Sequence, residues 1–175
     1  MKCEGSRLNY EEWAKTVPDT ITGDALWKVE VYRLGLLLSD LCWHDATRLM
    51  RDKRTLDLSD QLYRAVGSIS ANVAEGYSRG TGKDRARFYE YSLGSARESR
   101  DGYYKARYVL GDGIANHRLN FLAQIIRLLL TMVPQQRSRT LREPSASYQT
   151  SGTVSESTKT ENFLKLLGDI PLPDL

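Results

Sequence analysis

A chain of 175 residues with 41% hydrophobic side chains can bury one domain-sized core, and 27% charged residues with a mean hydropathy of −0.47 predict a soluble protein. No apolar run approaches the roughly 18–20 residues of a membrane span, and the opening MKCEGSRLNYEEW lacks the apolar centre of a secretory signal. Net charge is +3 but uneven: residues 140–175 hold three cations against five acids, which leaves 1–139 at about +5. A basic body is compatible with nucleic-acid binding, and also with ordinary solvated helix faces. Cys3 and Cys42 form neither a disulfide framework nor a metal spacing, which fits a reducing cytoplasm.

Residues 1–23 read as an arm. Asn9 can cap a short helix, YEEWAKTV, that Pro18 ends, with Trp13 docked on the body. DTITG reads as a turn and Asp24 as the next N-cap. Helix one is predicted from Ala25 to about Lys53. Its Leu26, Trp27, Val31, Leu34, Leu38, Leu41, Cys42, Ala46 and Leu49 recur mostly at steps of three and four, as an amphipathic helix requires. Leu36 and Leu37 widen that stripe. His44 reads as a surface or interface residue, since the other histidine, His117, is distant in sequence. Helix two is predicted from near Leu58, capped by Asp57 or Ser59, to near Glu75. Leu62, Ala65, Ile69 and Val73 form its core face, and Gly67, Ala71 and Ala74 a second face of small residues. A helical glycine costs about 1 kcal/mol relative to alanine, so Gly67 predicts a close packing seam. Gly76 is placed as a left-handed C-cap with Tyr77 closing over it.

The turn SRGTGKD is glycine-rich and basic but lacks the GxxxxGK[ST] phosphate loop. It reads as a plain loop, with Thr81 or Asp84 near the start of helix three. That helix is predicted from about Lys83 to Leu110. Its six cations, Arg85, Arg87, Arg97, Arg100, Lys105 and Arg107, face Glu90, Glu98 and Asp101. A salt-bridged solvated face and a nucleic-acid surface weigh evenly here. GDG at 111–113 is a helix–helix turn. Helix four follows from Ile114 to about Gln136 on Leu119, Leu122, Ile125, Ile126, Leu129, Met132 and Val133, and Leu128 and Leu130 widen its stripe toward an oligomer interface. Residues 138–162, rich in Ser and Thr, are predicted to be a disordered linker. Residues 163–175, FLKLLGDIPLPDL, form a short amphipathic segment that either docks on a neighbour or does nothing. Four long helical patterns with short turns and no strand pattern define an all-α fold, an antiparallel up-down four-helix bundle over 24–137.

QLYRAVGSISANVAEGYSRG, followed by RFYEYSLGSARES, resembles the small four-helix-bundle proteins encoded in intervening sequences of bacterial large-subunit ribosomal RNA genes. That family shows a pattern like Q-x-x-R-A-x-x-S-I-x-x-N-I-A-E-G, then R-F-x-x-x-A-x-G-S-x-x-E. The matching residues are Gln61, Arg64, Ala65, Ser68, Ile69, Asn72, Val73, Ala74, Glu75 and Gly76, then Arg87, Phe88, Gly94, Ser95 and Glu98. Ser92 or Leu93 stands where the family tends to have alanine. The resemblance covers roughly residues 25–137. The fold is shared by the accessory variability proteins of diversity-generating retroelements, which are homopentameric barrels that associate with a reverse transcriptase and its template RNA. The resemblance therefore implies a non-catalytic homo-oligomer, a pentamer, that scaffolds a nucleoprotein complex in the cytoplasm.

Within the motif, Arg64, Ser68 and Glu75 share a helix face, with Asn72 nearby and Glu98 of helix three able to complete a polar cluster. With Gly76, Gly94 and Ser95 they read as a structural motif that fixes helix register. A catalytic pair of Glu75 and Glu98 is disfavoured, because no histidine, cysteine or metal-ligand spacing supports it. No catalytic residue, metal or cofactor, and no small-molecule substrate or membrane, is assigned. The candidates for phosphate contact are Arg79, Lys83, Arg85, Arg87, Arg97, Arg100, Lys105 and Arg107. Tyr77, Tyr103, Tyr104 and Tyr108 are candidates to stack on bases or to fill subunit interfaces. The alternative is a protein-interaction module that recruits partners through its ring and C-terminal tail, without RNA or DNA.

Overall fold

The computed structural model describes residues 7–137 and 156–174. Helix α1 (Tyr10–Thr16) starts where Asn9 accepts a hydrogen bond from the Glu12 amide at 2.8 Å. Its Trp13 is buried, donates from the indole to Asp40 at 2.6 Å and stacks on Trp27. A short turn of helix, α2 (Asp19–Thr22), leads to a 3₁₀ turn, Ala25–Lys28, capped by Asp24. Helix one therefore does not begin at Ala25. The chain is extended at Val29, and α3 runs from Glu30 to Leu49. It also stops short of Lys53, because Asp52 caps a second 3₁₀ turn, Lys53–Thr55, by accepting from the Arg54 amide.

Helix α4 (Leu56–Tyr77) follows Thr55, and neither Asp57 nor Ser59 is its cap; the Ser59 hydroxyl turns back to the Leu56 carbonyl. Helix α5 (Gly82–Leu110) is capped by Thr81, which accepts from the Asp84 amide at 3.1 Å. Gly111 alone links α5 to α6 (Asp112–Arg137), at φ +82°, a conformation that suits a residue without Cβ. Gly76 is not a left-handed cap. It lies inside α4, buried, where an added Cβ would stand 2.9 Å from Phe88 Cβ and from the Tyr89 ring. Its missing side chain is what lets α5 close on α4.

The four long helices pack in sequence, α3 on α4, α4 on α5 and α5 on α6, and α3 also touches α5 and α6. Between them lie Leu37, Leu38 and Leu41 of α3, Leu62, Ile69 and Val73 of α4, and Phe121, Leu122, Ile125 and Leu129 of α6. Each such buried side chain is worth about 1.5–3 kcal/mol. Helix α5 adds Tyr89, Tyr103 and Leu110 and, between them, small residues: Ala86, Ser92, Ala96, Ser99, Gly102 and Ala106 are buried along it, and the Ser92 hydroxyl donates to the Ile69 carbonyl at 2.9 Å. The seam residues are therefore not those expected. Gly67 has nothing within 4 Å of its Cβ position and Ala71 is exposed, so the small-residue face of α4 looks outward.

Residues 156–162 are helical rather than disordered: they open α7 (Glu156–Gly168). The rest of the expected linker, 138–155, lies outside the described residues. Phe163, Leu166 and Leu167 of α7 pack on the core of the same chain, and Ile170 is fully buried. Ile170–Pro171, β2, then pairs antiparallel with Arg7–Leu8, β1, so the last segment and the arm close on one another. No helix among the described residues is long and apolar enough to cross a membrane.

Candidate nucleic-acid interface

The eight cations singled out in the sequence do not form one patch. Arg85 points inward from the first turn of α5. Its guanidinium donates to the Arg79 carbonyl at 3.1 Å and to the Gln136 side chain at 3.2 Å, so it ties the α4–α5 turn to α6. Two of the Arg85 guanidinium nitrogens are thus engaged within the fold. Arg79 pairs with Glu75 and lies over the Phe88 ring at 4.5 Å. Lys105 pairs with Asp101 at 2.5 Å. Both pairs are exposed, and such pairs contribute about 0–1 kcal/mol, so either cation can change partner at little expense. Arg87 donates to the Tyr91 hydroxyl at 2.7 Å. Lys83, Arg97 and Arg100 are exposed and carry no ion pair among the described residues.

Arg107 is held differently. Its guanidinium lies 4.0 Å from the Tyr104 ring centre and 4.1 Å from that of Tyr108. It donates to the Tyr104 carbonyl and to the Tyr108 hydroxyl, both at 2.6 Å. Tyr104 and Tyr108 are 55% and 82% exposed. Tyr77 is exposed as well, whereas Tyr103 is fully buried and can reach no base.

The motif residues of α4 and α5 do not make a buried polar cluster. They line an open cleft of about 560 Å³ between the two helices, formed by Asp57, Asp60, Gln61, Arg64, Ser68, Ser95 and Glu98. Arg64 pairs with Asp60 at 2.5 Å, and Gln61 donates to Glu98 at 3.0 Å across the cleft. Ser68 and Asn72 return their donors to the carbonyls of Arg64 and Ser68. Glu75 is occupied by Arg79 and does not line this cleft, so Glu75 and Glu98 have separate partners. Gly94, like Gly67, has open space at its Cβ position.

The buried polar cluster lies elsewhere. Asp45 of α3 and Arg118 of α6 are both fully buried and bonded, Arg118 Nε to Asp45 Oδ2 at 2.7 Å and Nη2 to Oδ1 at 3.1 Å. Tyr103 of α5 donates its hydroxyl to the same carboxylate at 2.9 Å. Arg118 Nη2 also donates to the Pro171 carbonyl of β2, and Nη1 lies 3.0 Å from His117 Nδ1. His117 Nε2 lies 2.8 Å from the Leu166 carbonyl of α7. A proton on Nε2 satisfies both His117 contacts, donating to Leu166 and accepting from Arg118. Burial, and then the charge of Arg118, lower the His117 pKa to about 4. Burial first, with the Asp45 charge behind it, holds the Tyr103 phenol well above its usual range, so it stays a donor. Burial also pushes the Cys42 thiol up to about 12, which leaves it unreactive.

An apolar groove of about 370 Å³ opens on the other side of α4, between Trp43 of α3, Met50 just past its end, and Leu56 and Tyr63 of α4. The Trp43 and Tyr63 rings meet edge to face at 6.0 Å. Among the described residues no three His, Cys, Asp or Glu side chains converge where a metal ion could be held.

The described residues form a helical body, closed by one short strand pair, with its polar motif displayed outward on α4 and α5 and cations on the same hairpin. Residues 28–111 match the family model described as 23S rRNA-intervening sequence protein. That segment, just under half of the chain, spans α3, α4 and α5, and over it the chain is similar to the 23S rRNA-intervening sequence proteins. No curated protein and no solved structure matches the chain.

Proposed function

We propose that the protein is a non-catalytic scaffold in the cytoplasm, a four-helix bundle in up-down order that assembles with copies of itself and binds nucleic acid through the outer face of α5. The observation that carries this reading is the set of exposed cations Lys83, Arg97 and Arg100, without an ion pair among the described residues, joined by Arg87 and Arg107. Unpaired surface cations on a rigid helix are ready phosphate partners, since no salt bridge has to be broken first. The family description, which names ribosomal RNA, points the same way and favours RNA. Self-assembly is supported by the outward-looking small residues Gly67, Ala71 and Gly94, which would let a second helix approach closely. By resemblance, the assembly is a pentamer that serves as the accessory subunit of a diversity-generating retroelement reverse transcriptase.

The test is the mass of the purified protein with and without a structured RNA, at low and high salt. The proposal expects a ring of about five subunits that takes up RNA and releases it as salt rises. A ring that ignores RNA favours the second reading, a module that recruits proteins. The Trp43–Tyr63 groove is the observation behind that reading, because Trp43 is 61% exposed beside apolar neighbours.

A further inference from the structure

Arg97, Arg100, Tyr104, Arg107 and Tyr108 follow one another along α5 at steps of three, four, three and one. At about 100° per residue, that spacing sets them on a single strip of the helix. The strip runs about 16 Å along the axis, at 1.5 Å per residue. It carries two cations without ion pairs among the described residues at one end and two exposed tyrosine rings at the other. Two acids fall within this span: Glu98 lines the cleft toward α4, and Asp101, at the strip's edge, pairs with Lys105.

We propose that this strip is a binding site for single-stranded RNA, with Tyr104 and Tyr108 stacking on unpaired bases and Arg97 and Arg100 holding the adjoining phosphates. The inference rests on the nucleic-acid reading above and narrows it to one strand class and one set of residues. Three observations carry it. The rings are solvent-exposed on an otherwise polar surface, where a tyrosine ring has no packing of its own to complete. Their orientation is fixed before any ligand arrives, because Arg107 lies against both rings and its donors are taken up by the Tyr104 carbonyl and the Tyr108 hydroxyl. A ring already held in place loses less freedom when a base stacks on it. Finally, Arg97 and Arg100 beside the rings carry no ion pair among the described residues, which gives the combination of a stacking platform and a backbone-tracking charge that sequence-tolerant single-strand binding uses. A duplex cannot use such a platform, because its bases remain stacked on each other.

The experiment measures fluorescence anisotropy of a short labelled oligouridine, and separately of an RNA duplex of the same length, over a salt series. The full chain is compared with Tyr104→Ala/Tyr108→Ala, with Tyr104→Phe/Tyr108→Phe and with Arg97→Ala/Arg100→Ala, and the mass of each is recorded. Both rings are exposed, so circular dichroism of the alanine variant should match the parent. The site requires oligouridine to bind more tightly than the duplex. It requires the alanine pair to weaken oligouridine binding by roughly five- to a hundredfold per ring, with little change in salt slope. The phenylalanine pair keeps the stacking faces and should retain most of the affinity, while the arginine variant should lower both affinity and salt slope. Unchanged affinity in the alanine pair, with salt-dependent binding intact, overturns the stacking site and leaves the broader nucleic-acid reading standing. No binding of either RNA by the parent protein overturns both. A loss of assembly mass in the alanine pair overturns the site by showing the rings to be a subunit contact.

Discussion

Arg118 and Asp45 meet in the centre of the bundle, Nε to Oδ2 at 2.7 Å, with neither side chain exposed to water. The pair joins α3 to α6 and, through Tyr103 and Pro171, brings α5 and the C-terminal strand to the same point. Removing water from two charges is expensive, and the remaining donors of Arg118 offset this by finding Pro171 and His117. Taking away one partner leaves the other charge buried. Arg118→Met should therefore destabilise the protein by about 3–5 kcal/mol in urea unfolding followed by circular dichroism. Asp45→Leu combined with Arg118→Met should recover most of that loss, since an apolar pair can replace a buried ion pair at little net change. An additive loss in the double variant would contradict this account.

His117 gives the same cluster a pH dependence. Its folded-state pKa of about 4 lies below the ordinary value of 6.5, first because it is buried and second because Arg118 faces it. Leu166 and Asp169 act in the opposite direction and do not cancel the shift. Between these two values the unfolded chain binds the proton and the folded one does not, so stability must fall as pH falls through this window. The contribution, on the order of 3 kcal/mol, is fully present above pH 6.5 and lost by about pH 4. The expected result is a stability–pH slope between these limits that is shallower in His117→Gln than in the parent, measured by urea midpoints at each pH. Equal slopes would place the titration elsewhere.

Much of this architecture is written in local patterns. Four apolar stripes at helical spacing give the four long helices, and the side-chain caps Asn9, Asp24 and Thr81 mark the starts of α1, the first 3₁₀ turn and α5. The ends are less legible, because a 3₁₀ turn and an α-turn have nearly the same residue preferences, so the apolar pattern carries helix one from Ala25 to about Lys53, past both ends of α3. The core ion pair did leave a trace. Asp45 falls four after Leu41 and four before Leu49, and Arg118 four before Leu122, so opposite charges occupy core positions on two helices. What no local pattern shows is which face of an ambiguous helix turns inward. Gly67 and Gly94 carry the same residue type as Gly76 and Gly102, yet only the latter two meet a neighbouring helix within the chain. Arg85 likewise reads as one more surface cation until the position of Gln136 is known.

The cations of α5 should separate by function when changed singly. Arg97→Ala and Arg100→Ala each remove an exposed charge that has no ion pair among the described residues, so each should weaken RNA binding and reduce the salt slope by about 0.7–0.9, with the urea midpoint unchanged. Arg85→Ala should instead lower stability, because it releases the α4–α5 turn from Gln136 and the Arg79 carbonyl. Filter binding across a salt series, run beside urea unfolding, distinguishes the two effects. A stability loss for Arg97→Ala, or none for Arg85→Ala, would reverse the assignment.

The glycines provide the sharpest separation of fold from assembly. Gly76→Ala places a methyl 2.9 Å from Phe88 Cβ and the Tyr89 ring, so α4 and α5 must part, at about 1–3 kcal/mol. Gly67→Ala and Gly94→Ala meet nothing within the chain, and each should stabilise the folded subunit by roughly 0.5–1 kcal/mol through helix propensity alone. A glycine that weakens its own helix on an open face has a reason to persist only if something else comes close there. If a second copy packs on this face, the Gly67→Ala/Gly94→Ala variant should show a smaller assembly by light scattering in dilute solution while its helices resist urea better than the parent's. The two readouts move in opposite directions only when the face is an interface. Greater stability with unchanged mass would show the outer face of α4 and α5 to be free of any second copy, and the self-assembly would have to use the Trp43–Tyr63 groove instead.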